Sequence, residues 1–179
     1  AFQELYDVNE QMNELYARYA TEMDDRLLER AGRLQERLDA ADFYEVETKI
    51  ERVMNGLGLN DIGKDHVVSE MSGGQRSKII LAKMLLENPD VILLDEPTNH
   101  LDLDVIEYLE EYLKRASCTL LMVTHDRYFL DRICTEILEM DNGKLYSYKG
   151  NYSYFLEKRD ERIQNFNSET EKARNLLRT

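Results

Sequence analysis

The first third of the chain has the apolar spacing of helices. Its strongly apolar residues recur three or four positions apart in two series: Leu5, Val8, Met12, Leu15 and Tyr19, then Leu27, Leu28, Leu34 and Leu38. Polar residues fill most other positions, so the pattern predicts an antiparallel helical hairpin that turns near residues 21–25. A third helix is predicted over residues 43–54. It ends at Gly56 and Gly58, because glycine readily takes the left-handed conformation that ends helices.

Beyond residue 63 the pattern changes to alternating strands and helices. The predicted order is helix 79–86, strand 91–95, helix 103–115, strand 119–124, helix 127–134, and a two-stranded hairpin of 136–140 and 144–148. The strand at 91–95 is expected to be buried. Strands that alternate with helices imply a parallel sheet with crossover helices, so the predicted fold class is α/β. Residues 151–178 follow as one long charged helix, too polar to be core by itself.

Composition narrows the possible classes of protein. The apolar fraction of 42% is enough for a core, and the longest apolar runs are far shorter than the roughly 20 residues that span a bilayer, so no membrane partner is expected. The net charge of −13 argues against a general nucleic-acid binder, although residues 149–179 are net positive. Cys118 and Cys134 lack CxxC spacing and histidine partners, which favours unpaired thiols in a reducing cytoplasm over a zinc site. No secretory signal is visible.

Four polar segments occur in a fixed order along the second half of the chain. They are Ser72-Gly73-Gly74-Gln75-Arg76, then Asp95-Glu96-Pro97-Thr98 after the first apolar strand, Asn99-His100-Leu101-Asp102, and Thr124-His125-Asp126 after the second apolar strand. Together they resemble the signature, Walker B, D-loop and switch-histidine motifs of ABC ATPases. The run from Asp95 to Asp102, the run from His125 to Leu130, and Tyr148-Lys149-Gly150-Asn151-Tyr152 are similar to class-F ABC proteins.

This resemblance covers essentially the whole chain and is most specific at residues 70–155. Class-F members are cytoplasmic ATPases with two nucleotide-binding domains on one chain that act on ribosomes. The resemblance therefore implies ATP and Mg²⁺ as cofactors and part of an ABC nucleotide-binding domain as the fold. It also implies the second nucleotide-binding domain of the same parent chain, the ribosome and transfer RNA as partners.

The residues of the signature segment have a physical reason to bind an anion. Ser72, Gly73, Gly74 and Gln75 lie where a helix begins, so backbone N–H groups and the positive end of the helix face outward, and the glycines allow close approach. These properties suit a γ-phosphate. The alternative is an ordinary serine N-cap followed by a loop glycine pair.

The acids after the first strand and the histidine after the second are the candidates for hydrolysis. Asp95 emerges at the carboxyl edge of a sheet, where it would hold Mg²⁺ through water, and Glu96 is placed to accept a proton from the attacking water. His125 would hydrogen-bond the γ-phosphate and position that water. The alternatives are two solvated acids and a histidine that caps the end of a strand.

The remaining candidates are one acid and two histidines. Asp102 is the D-loop acid, which in the family reaches across the interface between two nucleotide-binding domains. A helix N-cap is its rival role, and both can coexist. His66 is interpreted as a loop residue, and His100 is expected to shape the D-loop rather than touch phosphate.

The sequence contains no GxxxxGK(S/T) segment, the loop whose backbone amides and lysine hold the phosphates of ATP. We therefore expect a fragment without ATPase activity of its own. Three segments are predicted: residues 1–66 as a helical subdomain with a short arm-like hairpin, 67–148 as the signature, Walker B and switch half of the domain, and 149–179 as an interdomain linker helix. An ordinary helical subdomain and a solvated charged helix are the alternatives for the first and last. An ABC transporter subunit and a non-catalytic interaction module remain the rival functions.

Overall fold

The chain begins with a helical hairpin, as predicted. The computed structural model describes residues 1–62 and 66–176. Helix α1 spans Gln3–Glu22 and helix α2 spans Asp25–Ala40. The chain reverses at Met23, whose φ of 54° is left-handed, and the Asp24 side chain caps α2 by accepting from the Arg26 N–H. The buried core of the hairpin consists of Val8, Met12, Leu15, Leu27, Ala31 and Leu38.

Two further helices follow, and one glycine sits at a tight contact. Helix α3 spans Val46–Gly56 after a 3₁₀ turn at Phe43–Glu45, and helix α4 spans Gly73–Glu87.

A Cβ added to Gly56 would lie 2.3 Å from the Tyr108 ring, so close packing requires glycine there. Gly58 has the left-handed conformation predicted for the end of this helix, with a φ of 63°, whereas Gly56 is the last helical residue and has no positive φ. Helix α4 ends at Asn88, which is also left-handed.

The central strands are as predicted in position and direction. Strand β1 spans Val91–Asp95, helix α5 spans Leu103–Arg115, and strand β2 spans Thr119–Val123. The two strands pair in a parallel two-stranded sheet. The Glu96 N–H donates to the Val123 carbonyl at 2.7 Å, which places the carboxyl ends of both strands side by side.

The expected burial of strand β1 is wrong for one of its faces. Ile92 is buried, but Val91 and Leu93 are 56% and 70% exposed, and Leu121 and Val123 of β2 are exposed as well. Successive side chains of a strand point to opposite faces, so the two exposed residues of each strand share one face of that strand. An apolar run therefore located the strand correctly but did not show which of its faces would be covered.

The remaining elements form a hairpin and a long helix that packs on it. Helix α6 spans Arg127–Ile133, strands β3 and β4 span Ile137–Asp141 and Lys144–Tyr148, and helix α7 spans Tyr152–Leu176. The strands are antiparallel and turn at Asn142 and Gly143, both with positive φ, as a tight two-residue hairpin requires.

Helix α7 is held on this hairpin by aromatic and charged side chains. Tyr148 and Phe155 are buried with ring centroids 5.1 Å apart. Arg162 Nη2 lies 2.8 Å from Glu139 Oε2, and the Arg162 guanidinium lies 3.7 Å from the centre of the Tyr146 ring. The first half of this helix is therefore anchored, despite its polar sequence.

The chain divides into two compact units. One comprises Ala1–Val91 and Leu101–Tyr108, and the other comprises Ile92–His100 and Leu109–Thr179. In the described part of the chain, no helix is long and apolar enough to cross a membrane.

Candidate functional site

The backbone of Glu96 is held in an uncommon conformation at the carboxyl end of strand β1. Its φ of 46° is left-handed, which is rare for a residue with a long side chain and usually marks a constrained site. The Glu96 N–H donates to the Val123 carbonyl, and the Glu96 carbonyl accepts from the Asn99 N–H at 3.1 Å. These bonds fix Glu96 between the ends of the two strands.

The Glu96 carboxylate contacts the loop that follows strand β2. Its Oε2 atom accepts from the Thr124 hydroxyl at 3.1 Å and from the His125 N–H at 3.3 Å. Its Oε1 atom lies 3.5 Å from Nε2 of the His125 ring. The Glu96 side chain is 25% exposed and the His125 side chain 98% exposed. Glu96 is therefore positioned by protein donors, while the His125 ring is free to meet a ligand.

His125 does not cap the next helix. The Asp126 side chain caps helix α6 by accepting from the N–H groups of Tyr128 and Phe129 at 3.1 and 3.0 Å. The Asp126 N–H in turn donates to the Thr124 hydroxyl at 3.2 Å. The loop is thus fixed on both sides of His125, and Asp126 rather than His125 caps the helix that follows.

Asp95 is the exposed acid of this site. No described residue makes a hydrogen bond or ion pair with its carboxylate, and no group of three or more possible metal ligands occurs among the described residues. One free carboxylate fits an outer position on Mg²⁺, which keeps several waters and takes other ligands from substrate phosphates. The residues present therefore suit a shared metal site rather than a complete protein cage.

Ser72 begins helix α4 with a full capping box. Its hydroxyl accepts from the Gln75 N–H at 3.2 Å, and the Gln75 side chain accepts from the Ser72 N–H at 3.0 Å. A Cβ added to Gly73 or Gly74 would meet no atom within 4 Å, and neither residue has positive φ. The described structure thus explains Ser72 and Gln75 but gives no internal reason for the two glycines, which weaken a helix relative to alanine.

Asp102 also begins a helix and is paired with a lysine. Its Oδ1 atom accepts from the Val105 N–H at 3.1 Å in the first turn of α5, and its Oδ2 atom lies 3.2 Å from Lys78 Nζ. The Val105 hydrogen bond, followed by the Lys78 hydrogen bond, lowers the pKa of the Asp102 carboxyl below its ordinary value. The N-cap role weighed for Asp102 is therefore present in the structure.

The other two histidines lie outside helices and strands. His100 is exposed and left-handed, with a φ of 64°, in the turn that follows Glu96. His66 is exposed outside any helix or strand. Both placements agree with the loop roles expected for them.

The candidate residues fall into two groups. Asp95, Glu96 and His125 belong to the second unit, where the ends of β1 and β2 bring Glu96 and His125 together. Ser72, Gly73, Gly74, Gln75 and Asp102 belong to the first unit. Two further polar residues were given no role from the sequence, namely Thr124 and Lys78. A hydroxyl directly after an apolar strand was a usable signal for Thr124, whereas nothing local distinguishes Lys78 from a surface lysine.

Comparison with known families agrees with these motifs. A family model described as ABC transporter matches residues 3–99, and a second one with the same description matches residues 138–178. A solved ATP-binding subunit of an ABC transporter has a TM-score of 0.54 at 21% identity, over 59% of this chain and 45% of the other, which shows likeness of fold.

Several curated proteins are similar over most of the chain. The energy-dependent translational throttle protein EttA of Mycobacterium tuberculosis H37Rv is 46% identical over 86% of this chain and 27% of its own length. ABC transporter F family member 5 of Arabidopsis thaliana is 38% identical over 96% of this chain and 26% of its own length. The chain spans about a quarter of the length of these relatives. It belongs to the ABC ATPase family, in class F.

Proposed function

We propose that this chain binds and hydrolyses ATP as part of a two-domain class-F ABC ATPase that acts on the ribosome during translation. The observation that carries the catalytic part is the fixed Glu96 carboxylate, with His125 Nε2 at 3.5 Å from Oε1. A carboxylate beside an exposed imidazole at the carboxyl edge of a parallel sheet suits general-base attack of water on a phosphate.

Each residue at this edge has a distinct task in the proposed reaction. Glu96 accepts the proton of the attacking water, and His125 hydrogen-bonds the γ-phosphate and orients that water. Asp95 would hold Mg²⁺, which would supply neutralising charge for the phosphate oxygens. The exposure of Asp95 and His125 supports this proposal, because both groups are accessible to a nucleotide.

The signature segment serves a different ATP in this proposal. Ser72 to Gln75 complete the site whose phosphate-binding loop lies on the second nucleotide-binding domain of the same protein, and Asp102 takes part at that interface. The support is the glycine pair, since open space around Gly73 and Gly74 lets a phosphate approach the helix N-terminus. The chain itself contains no GxxxxGK(S/T) loop, so we expect no ATPase activity from it alone.

We assign the three segments of the sequence to separate tasks in the whole protein. Residues 1–66 form a helical subdomain with a short arm, 67–148 form the catalytic and signature half, and 149–179 link the two domains near transfer RNA. Support for action on translation comes from the relatives named as translational throttle proteins. A cytoplasmic location follows from the same proposal.

The test uses the full-length protein that contains this chain. Glu96→Gln keeps the shape of the side chain and loses its basicity, so it should slow hydrolysis by about 10²–10⁴-fold with ATP affinity unchanged. Single-turnover hydrolysis and nucleotide binding measure the two effects separately. The Glu96→Gln variant should also stay bound to ribosomes in the presence of ATP. Unchanged hydrolysis by the Glu96→Gln variant would show that Glu96 has no part in the reaction. Failure of the unmodified full-length protein to bind ATP would favour a non-catalytic interaction module.

The alternative function to test is that of a transporter ATPase, because a solved transporter subunit has a similar fold. A transporter ATPase would co-purify with a membrane component and would not depend on ribosomes. Sedimentation of the full-length protein with ribosomes in the presence of a non-hydrolysable ATP analogue separates the two functions.

A further inference from the structure

We propose that Thr124 is a positioning residue that decides which oxygen of Glu96 receives the proton in ATP hydrolysis. The inference rests on the catalytic role proposed above for Glu96. It concerns a residue for which the sequence motifs gave no task.

The direction of the Thr124 hydroxyl is set by its neighbours. A threonine hydroxyl has one proton to donate and lone pairs that accept. The Asp126 N–H donates to Thr124 Oγ1 at 3.2 Å, and Asp126 is itself fixed as the cap of helix α6. The single hydroxyl proton is therefore left for Glu96 Oε2, which lies 3.1 Å away.

The two oxygens of the Glu96 carboxylate consequently differ. Oε2 accepts from the Thr124 hydroxyl and from the His125 N–H. Among the described residues, Oε1 meets only the ring of His125, whose side chain is almost fully exposed. Donors to one oxygen hold the carboxylate plane and leave the other oxygen able to accept a proton. The geometry thus assigns proton uptake from water to Oε1.

Loss of this donor should change the rate of hydrolysis but leave nucleotide binding intact. Thr124→Val keeps a branched side chain of similar size and removes the hydroxyl. Oε2 of Glu96 then retains the His125 N–H as its one donor among the described residues, and small misplacement of a reacting group costs up to about 10²-fold in rate. We expect kcat to fall about 10- to 100-fold in the full-length protein, while the affinity for ATP stays within about twofold. Thr124→Ser keeps the hydroxyl and should restore most of this loss.

A double-mutant cycle separates positioning from a purely structural role. If Thr124 acts through Glu96, then Thr124→Val should change single-turnover hydrolysis less than about twofold in a Glu96→Gln background, since coupled residues are not additive. If Thr124 only stabilises the loop, the valine substitution should cost the same factor with or without Glu96. Thr124→Ala provides a second side chain without the hydroxyl, in case valine disturbs folding. Thermal melting checks both variants.

The outcomes also distinguish this inference from the function on which it rests. If Glu96→Gln alone leaves hydrolysis unchanged, the proposed role of Glu96 fails. If Glu96→Gln slows hydrolysis and both Thr124→Val and Thr124→Ala hydrolyse ATP at the wild-type rate, only the inference about Thr124 is overturned. Equal losses in the two backgrounds overturn it as well. Loss confined to the background that retains Glu96, with rescue by serine, supports it.

Discussion

Lys78 and Asp102 form an ion pair that joins the signature helix α4 to the first turn of helix α5. Lys78 Nζ lies 3.2 Å from Asp102 Oδ2, and the Lys78 side chain is only 14% exposed. The same Asp102 carboxylate accepts from the Val105 N–H. One acid thus caps a helix and receives a lysine from the helix that begins at the signature segment.

Removal of the lysine should raise the pKa of Asp102. The folded-state pKa lies below the ordinary value, so this acid contributes stability above its unfolded pKa, near 4, and the contribution is lost as pH falls through the folded pKa. Lys78→Met should therefore make the protein lose stability at a higher pH during acid unfolding. The pKa should not return fully to its ordinary value, because the Val105 N–H remains. NMR titration of Asp102 measures the shift.

Lys83→Met is the matched control for that experiment. Lys83 lies on the same helix, is exposed, and pairs at 3.7 Å with Glu87 rather than with Asp102. The Lys83→Met substitution removes the same charge from α4, and it should leave the pKa of Asp102 unchanged. A shift of equal size in both variants would mean that the net charge of the helix, rather than the contact, sets the pKa.

A negative charge at the start of the signature helix should block domain closure without reducing the stability of the fold. A side chain at Gly73 meets no atom of the described chain within 4 Å, and an acid in the first turn favours a helix. Gly73→Asp should thus leave the thermal stability equal or slightly higher. In the full-length protein it should block ATP-dependent domain closure, because like charges about 4 Å apart cost roughly 4 kcal/mol at an effective dielectric of 20.

Gly73→Ala is the control for size without charge. It should reduce closure much less than Gly73→Asp does, and nucleotide binding should persist in both variants. Distances between labelled domains and the fluorescence of a bound nucleotide analogue report the two quantities. Normal closure of the aspartate variant would limit the signature segment to a helix cap.

Two helical glycines should respond to alanine in opposite directions. Gly32 lies within α2, and a Cβ added there would meet no atom within 4 Å, so Gly32→Ala should stabilise the protein by about 0.4–1 kcal/mol. Gly56→Ala would drive a methyl group to 2.3 Å from the Tyr108 ring, and such overpacking typically costs about 1–3 kcal/mol. Denaturant unfolding compares the two. Equal effects would contradict the close contact between α3 and α5.

The attachment of helix α7 should depend on one arginine. Arg162 contacts Glu139 at 2.8 Å and stacks on Tyr146, so Arg162→Ala should increase amide hydrogen exchange in the first half of α7. Arg162→Lys keeps the charge but loses the planar group and should have an intermediate effect. Lys172→Ala, at an exposed position of the same helix, should change exchange little. Equal protection in all three variants would show that the aromatic contacts alone hold the helix.

The local pattern of the sequence determined the elements and the motif residues. Apolar residues three or four apart predicted the hairpin of α1 and α2, and strand-length apolar runs located β1 and β2, because these periods depend on the geometry of a single element. Ser72 and Asp102 could be recognised as possible caps for the same reason, since a cap binds an N–H only two or three residues away.

Only the tertiary structure decided which side chains meet and which faces remain exposed. Thr124 is 28 residues from Glu96, and Lys78 is 24 residues from Asp102, so neither contact follows from spacing along the chain. The sequence likewise did not show that one face of β1 is exposed, because an apolar run looks the same whether one face of the strand or both are covered. Local chemistry therefore identified the acid and the histidine, whereas the fold determined how the carboxylate is held.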